Sequence, residues 1–229
     1  MDKPRVGIVD YKSILELYQE CSKKQLITHL QNRLPFYFRD AYEEMTQRQT
    51  DIVRVRYKTF EYLYDHFPEL QPDPAPLPDA KIEPRLVGVL GCSSPKKTRR
   101  DDYRLKGWVG PTEKHFGRLW DKGHFIAHSI GGAVDGTEIN VFVQKRSLNR
   151  GWSDEGKRFR QMESFCATNP GTFCFSRPIY FDQTAKPAFV EFGVLKTHKH
   201  LWVECFDNTF PSRTCSRCTG SAIVAEINL

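Results

Sequence analysis

No apolar run in this 229-residue sequence approaches the roughly 20 residues that a membrane-spanning helix needs. The first residues, MDKPRVGIVDYKS, also lack the long apolar core of a secretory signal peptide. We therefore expect no contact with a membrane. We expect a protein that stays in the cytoplasm where it is made, or one that is exported by a secretion system that needs no signal peptide.

Repeats and a disulfide framework are absent as well. The seven cysteines are odd in number and scattered along the chain, which argues against a set of paired cysteines. No segment repeats, and the one low-complexity tract is rich in proline. The overall composition, with 39% apolar and 27% charged residues, is that of an ordinary globular protein.

The charge balance is mildly basic, with a formal net charge of +6. This sign suits a polyanionic partner, because lysine and arginine neutralise phosphates and release counterions. An excess of this size also fits a soluble surface, so charge alone does not identify a nucleic-acid partner.

The proline-rich tract at residues 71–79 predicts a boundary. Its sequence, QPDPAPLPD, should be extended. We expect a helical N-terminal segment over residues 1–70 and a second domain over residues 80–229. A solvated helical hairpin is the favoured interpretation of the N-terminal segment, and a docking, delivery or regulatory module is the alternative.

Two helices are expected in that N-terminal segment. Asp10 or Ser13 is placed to cap the first of them. Apolar residues at helical spacing from Asp40 to Phe67 predict the second. Pro35 should lie near a helix boundary, because its ring disfavours the helix interior.

The residues that suit chemistry are concentrated in one stretch. It opens with Asp-Lys-Gly-His at 121–124 and continues through a glycine pair to a strand-like run at 140–145. A charged segment at 152–165 has the pattern of a helix, with Ser153 as its N-cap. The region therefore predicts two strands, 119–127 and 140–145, followed by a helix.

Four blocks of this stretch resemble the signature of the DNA/RNA non-specific endonucleases of the ββα-metal, or His-Me finger, superfamily. That signature is Asp-Arg-Gly-His, then Asn-x-x-x-Gln on a strand, then an Asn that opens a helix, then a Glu within the helix. The matching residues, in that order, are Asp121, Gly123, His124, Asn140, Gln144, Asn149 and Glu163. Lys122 stands where the family has Arg. The resemblance implies an α+β fold with a ββα-metal nuclease core on an antiparallel sheet, preceded here by the helical N-terminal segment.

The resemblance assigns proton transfer to His124. A neutral histidine can take a proton from an attacking water near neutral pH. Asp121 is expected to orient its surroundings, and Lys122 to hold phosphate as a point charge where Arg would grip it bidentately. If the strand continues, His128 projects to the same face as His124, and we expect it to be structural.

Asn149 is the expected direct ligand of Mg²⁺, a hard cation that prefers oxygen and keeps several waters. Asn140 is the rival, for which a structural hydrogen bond is favoured. Glu163 is expected to hold the metal's waters, with Glu155 as the rival carboxylate. Arg160, one helical turn before Glu163, is expected to steady the leaving phosphate. We expect Mn²⁺ to substitute for Mg²⁺.

Two further segments leave alternatives open. Residues 93–106 are basic and include Tyr103, so they either contact a nucleic-acid backbone or form a solvated loop. Cys215 and Cys218 form a CxxC, which supplies two of the four ligands of a structural Zn²⁺ site. The candidates to complete that site are Cys205, His198 and His200. Two free thiols is the favoured interpretation.

The resemblance implies a metal-dependent, sugar-non-specific endonuclease that hydrolyses DNA, and RNA as well, to 5′-phosphate and 3′-hydroxyl ends. Such an enzyme endangers its own host, so we expect an inhibitor or immunity protein as a partner and a role as a toxin or defence effector. The alternatives are a non-catalytic nucleic-acid-binding module on the same fold and a zinc-stabilised interaction protein. The sequence does not fix the oligomeric state.

Overall fold

The computed structural model describes residues 7–66, 85–95, 117–133, 140–182, 184–198, 200–209 and 224–228. Within these ranges the chain is an α+β protein with antiparallel sheets. In chain order the elements are α1 (Tyr11–Glu16), α2 (Lys23–Thr46), β1 (Asp51–Tyr57), β2 (Phe60–His66), β3 (Leu86–Cys92), β4 (Trp120–His124), β5 (Val141–Lys145), α3 (Arg146–Asn149), α4 (Asp154–Thr168), β6 (Phe173–Ile179), β7 (Phe189–Thr197), β8 (His200–Asp207) and β9 (Val224–Asn228). None of the helices in the described ranges is long and apolar enough to cross a membrane.

The described strands form one seven-stranded sheet and one separate hairpin. The large sheet has the order β1-β2-β3-β6-β7-β8-β9, and every neighbouring pair is antiparallel. The hairpin is β4-β5. Strands of the large sheet follow one another in chain order, except that the chain leaves it after β3 and returns at β6. The hairpin, α3 and α4 all lie in the segment between β3 and β6.

The two faces of the large sheet carry two apolar clusters. On one face α2 packs against β3 and β6, and Phe38 meets Phe175 with ring centroids 5.4 Å apart. On the other face α4 packs against β7, and the Phe159 ring lies 5.0 Å from Phe206, edge to face. The second cluster also includes Phe142 of the hairpin. The hairpin and α4 therefore pack on the sheet face opposite α2.

Several predicted features of the sequence are confirmed. Asp10 caps α1 by accepting from the backbone N–H of Ser13, and Ser153 caps α4 by accepting from Gly156. The predicted strands of the hairpin are present but shorter, at Trp120–His124 and Val141–Lys145. The sequence also predicts strands from the apolar or alternating runs at 172–181, 188–195 and 201–206, and these correspond to β6, β7 and β8.

The helix predicted from Asp40 to Phe67 is wrong in its second half. Helix α2 ends at Thr46, where Gln47 takes a left-handed conformation with φ of 55°, and a β-hairpin follows. The hairpin turn uses Lys58 at φ of 56°, so no glycine or proline marks it in the sequence. Tyr62 is completely buried when β2 pairs with β3, and this burial favours strands over a helix in this part of the chain.

The expected boundary at Pro35 is also wrong. Helix α2 continues through Pro35, which lies on its buried face. An interior proline costs a helix about 3 kcal/mol. The neighbouring Leu34 and Phe38 are completely buried, and this packing outweighs the cost.

The N-terminal segment shares its core with the rest of the chain. Arg177 of β6, 2% exposed, donates to the Gly7 carbonyl across 2.8 Å and to Glu191 across 2.7 Å. Tyr11 donates to the same Glu191 carboxylate. Residues 7–66 are thus built into the sheet and core. The proline-rich tract at 71–79 lies outside the described residues, and a docking, delivery or regulatory role for the segment stays a prediction.

Candidate active site

The hairpin β4-β5 fixes the directions of the Asp-Lys-Gly-His side chains. Asp121 pairs with Gln144 and Gly123 with Phe142. Side chains alternate along a strand, so Asp121 and Gly123 point to one face, and Lys122 and His124 point to the other. A methyl group at Gly123 would lie 2.1 Å from Oε1 of Gln144, so only glycine fits beneath that side chain.

Asn140 braces the loop that follows β4. It is completely buried, and its Oδ1 accepts from the Ile126 N–H across 2.9 Å. Its Nδ2 donates to the carbonyls of Ile126 and Ala133, at 2.7 and 2.9 Å. This hydrogen bonding agrees with the structural role favoured from the sequence.

Asp121 is the centre of a polar network beside α3. Its carboxylate accepts from Nε of Arg146 at 2.8 Å, from Nδ2 of Asn149 at 3.1 Å and from Nε of Arg150 at 2.7 Å. Burial favours the neutral acid, but the hydrogen bonds from Arg150, Asn149 and Arg146 outweigh it and hold the pKa of Asp121 below its ordinary value. The carboxylate is therefore an ionised anchor for α3.

Asn149 is the last residue of α3 rather than the first residue of the long helix α4. Its amide nitrogen donates to Asp121, which sets the orientation of the side chain and leaves Oδ1 as the atom available to a cation. Its main-chain carbonyl accepts from Nη2 of Arg160. Asn149 is thus fixed from both β4 and α4.

Glu163 and Arg160 complete a chain of contacts. Nη1 of Arg160 lies 3.3 Å from Oε2 of Glu163, so Arg160 bridges Asn149 and Glu163. Glu163 is 7% exposed, and burial raises its pKa to about 7 even though Arg160 opposes the shift. A buried carboxylate of this kind suits a nearby cation, which would favour its ionised form.

His124 is the last residue of β4, and its side chain is partly buried with Nε2 shielded from solvent. Lys122, on the same strand face, is partly exposed. His128 does not share that face by strand alternation as expected, because β4 ends at His124 and His128 begins a 3-10 turn.

The structure joins Asp121, Asn149, Arg160 and Glu163 directly. Lys122 and His124 lie on the same strand as Asp121, but alternation directs their side chains to its other face. The pairing of Arg146 and Arg150 with Asp121 was not predicted from the sequence. Their i,i+4 spacing would have paired them on one helix face only if α3 had been predicted.

Asn208, directly after β8, is another residue that the sequence did not predict as part of this region. Its Oδ1 accepts from the Lys145 N–H across 2.7 Å, and its Nδ2 donates to the carbonyls of Val143 and Pro187 at 2.9 and 2.8 Å. Asn208 therefore ties the outer edge of β5 to the large sheet.

The donor set of the site fits Mg²⁺. Among the described residues, no group of three or more His, Cys, Asp or Glu side chains is placed to hold a metal ion. Asn149 with Glu163 would offer one amide oxygen and one carboxylate, which is sufficient for Mg²⁺ because this ion keeps several waters. The basic residues from Lys96 to Arg104 and the zinc candidates Cys215 and Cys218 lie outside the described residues.

Comparison with known proteins gives distant likenesses to solved structures alone. No family model and no curated protein matches the sequence. A solved structure of an extracellular endonuclease is similar to this chain at 14% identity, with 76% of this chain and 86% of that chain covered. The TM-score is 0.36. At that score and identity the likeness bears on neither the reaction nor its residues.

Proposed function

We propose that the protein is a metal-dependent endonuclease that hydrolyses phosphodiester bonds in DNA and RNA. The observation that carries this proposal is the network around Asp121. It directs the amide oxygen of Asn149 away from β4, and Arg160 links Asn149 to the buried Glu163. These contacts connect Asp121, Asn149 and Glu163, which match successive blocks of the sequence signature. The three residues lie on three different elements, β4, α3 and α4.

His124 is the proposed general base. Its neutral imidazole takes a proton from the water that attacks the phosphorus atom. Lys122 projects from the same strand face, so its ammonium group can hold the phosphate beside that water. Gly123 keeps the backbone between these two residues close to Gln144 and thereby fixes their directions.

Asn149 and Glu163 are the residues that would hold Mg²⁺, Asn149 through Oδ1 and Glu163 through water. The bound cation supplies positive charge where the leaving oxygen becomes negative. Asp121 positions Asn149, because its ionised carboxylate holds the amide nitrogen. Arg160 is half exposed, so its guanidinium can also contact the leaving phosphate.

The substrate range follows from the nucleophile and from the charge. Water is the nucleophile, so the reaction needs no 2′-hydroxyl and accepts DNA as well as RNA. The basic side chains on α3, at its C-cap and on α4 are suited to phosphates, which carry no sequence information. They are Arg146, Arg150, Lys157, Arg158 and Arg160. We expect 5′-phosphate and 3′-hydroxyl ends and little sequence preference.

The test is incubation of the purified protein with supercoiled plasmid, linear duplex DNA and total RNA. Cleavage should require Mg²⁺ or Mn²⁺, stop with EDTA, and fall steeply as salt rises. The variant His124→Ala, purified in parallel, controls for contaminating nuclease. Binding without any cleavage would replace the proposal with a non-catalytic nucleic-acid-binding module. Stoichiometric Zn²⁺ in the purified protein would support the zinc site at Cys215 and Cys218.

A further inference from the structure

A groove runs along the exposed face of α4 and starts beside Asn149. Its lining is basic and polar with one aromatic ring, and includes Arg150, Lys157, Arg160, Gln161, Ser164 and Phe165. Lys157 is paired with Asp154, but both side chains are largely exposed, so this ion pair is weak and can give way to a phosphate. Arg160 is half exposed, so the groove offers Lys157 and Arg160 to an anionic chain that leaves the proposed site.

An exposed tryptophan stands next to this groove. Trp152 is 64% exposed, although large aromatic residues are normally well buried. Its backbone N–H donates to the Ser147 carbonyl across 2.9 Å, so the residue follows a defined turn. The guanidinium carbon of Arg150 lies 5.1 Å from the centroid of the indole ring, within the range of a cation–π contact.

Arg150 connects this ring to the site. While it contacts Trp152, it donates to both oxygens of Asp121, at 2.7 and 3.1 Å. One face of the indole is thus covered by an arginine that is anchored to the residue that positions Asn149. The exposure of Trp152 leaves ring surface open to a second flat group.

We propose that Trp152 and the groove along α4 form a subsite for one unpaired nucleotide next to the scissile phosphate. The base stacks on the indole, and Lys157 and Arg160 neutralise the adjoining phosphates. A base within a duplex has its faces covered by its neighbours, so the subsite favours single-stranded DNA and RNA. This inference rests on the proposed nuclease function and narrows its substrate.

Binding is measured first, in EDTA, with a labelled single-stranded oligonucleotide of about twelve nucleotides and the same sequence annealed to its complement. Trp152→Ala should weaken binding to the single strand by about tenfold or more, the scale of one lost stacking contact. Binding to the duplex should change much less. Phe181→Ala is the matched control, because Phe181 is 51% exposed and does not line the groove; its affinities should equal those of the wild type.

A second variant separates stacking from damage to the fold. Trp152→Phe keeps an aromatic face, so its affinity for the single strand should stay near that of the wild type. If the base stacks on Trp152, binding quenches the intrinsic fluorescence of the wild type, and most of that quenching is lost in Trp152→Phe. Wild-type affinity in Trp152→Ala, or an equal loss on single strand and duplex, would overturn the subsite.

The outcomes also separate the two proposals. Cleavage by the wild type together with unchanged single-strand binding by Trp152→Ala would overturn the subsite and leave the nuclease proposal intact. Trp152-dependent binding of single strands without cleavage under Mg²⁺ would overturn the nuclease proposal and support the stacking contact alone.

Discussion

The side-chain amide of Asn149 donates a hydrogen bond to Oδ2 of Asp121 across 3.1 Å. This contact joins two blocks of the sequence signature that lie 28 residues apart in the chain. Because Asp121 is ionised and accepts only, the amide nitrogen must face it and the amide oxygen must face away. Asp121 thereby determines which atom of Asn149 a cation would meet.

Replacement of His124 tests the proposed base. His124→Ala should reduce cleavage by at least about a hundredfold, the scale of a lost general base, while nucleic-acid binding and the unfolding transition persist. His128→Ala is the control, since His128 lies in the 3-10 turn beyond the strand and should retain activity. Cleavage at the wild-type rate by His124→Ala would remove the histidine from the mechanism.

The two asparagines of the signature should respond differently to replacement by alanine. Asn149→Ala should raise the Mg²⁺ concentration needed for half-maximal cleavage at least about tenfold, because it removes the oxygen proposed to bind the cation. Asn140→Ala should instead lower the free energy of unfolding by about 3 kcal/mol, since three buried hydrogen bonds are lost.

Metal titrations of cleavage and denaturant unfolding of both asparagine variants check this pair of expectations. A shift in Mg²⁺ dependence for Asn140→Ala, with none for Asn149→Ala, would show that the two residues have been assigned to the wrong roles.

Glu163 should make the metal-free protein less stable as pH rises. Its pKa is about 7 in the folded protein and near 4.5 when unfolded, so the folded state binds the proton more tightly. The stability that this proton contributes is fully present below about pH 4.5 and is lost as pH rises through 7.

Glu163→Gln removes this titration. In EDTA at pH 8 the variant should exceed the wild type in free energy of unfolding by on the order of 2 kcal/mol, and at pH 4 the gain should vanish. Denaturant unfolding at the two pH values checks this. A gain of equal size at both would mean that packing, and not ionisation, explains the effect.

A protein that starts at residue 80 should not fold. It would lack α2 and the β1-β2 hairpin, which cover one face and one edge of the large sheet. Phe173 and Phe175, both completely buried in the whole chain, would meet water. Size-exclusion chromatography and circular dichroism of the truncated protein check this. A soluble product with cooperative unfolding would mean that residues 80–229 form an independent domain.

Local sequence predicted the hairpin and α4 because their patterns are short-range. A strand-like apolar run marked β5, and Ser153 marked the start of α4. The β1-β2 hairpin was missed because its apolar residues also fit helical spacing and its turn uses Lys58 in place of glycine. Only the pairing with β3, a tertiary contact, decides between the two structures.

The candidate residues of the site could be predicted from the sequence, but the hydrogen bonds that connect them could not. Helix α3 has four residues, too few to show a period, so Arg146 and Arg150 did not stand out. Asn208 lies 63 residues from the Lys145 N–H that it accepts from, and no local pattern reports such a partner. Long-range hydrogen bonds of this kind appear only when the chain is folded.

The segment that connects β3 to β6 begins and ends at neighbouring positions, which are joined by two backbone hydrogen bonds. Ser93 donates from its backbone to the Thr172 carbonyl across 2.8 Å and accepts from the Gly171 N–H at the same distance. All residues of the proposed site lie between these two joined ends. Because these ends are hydrogen-bonded to each other, an insertion or deletion between them need not shift the register of any strand in the large sheet.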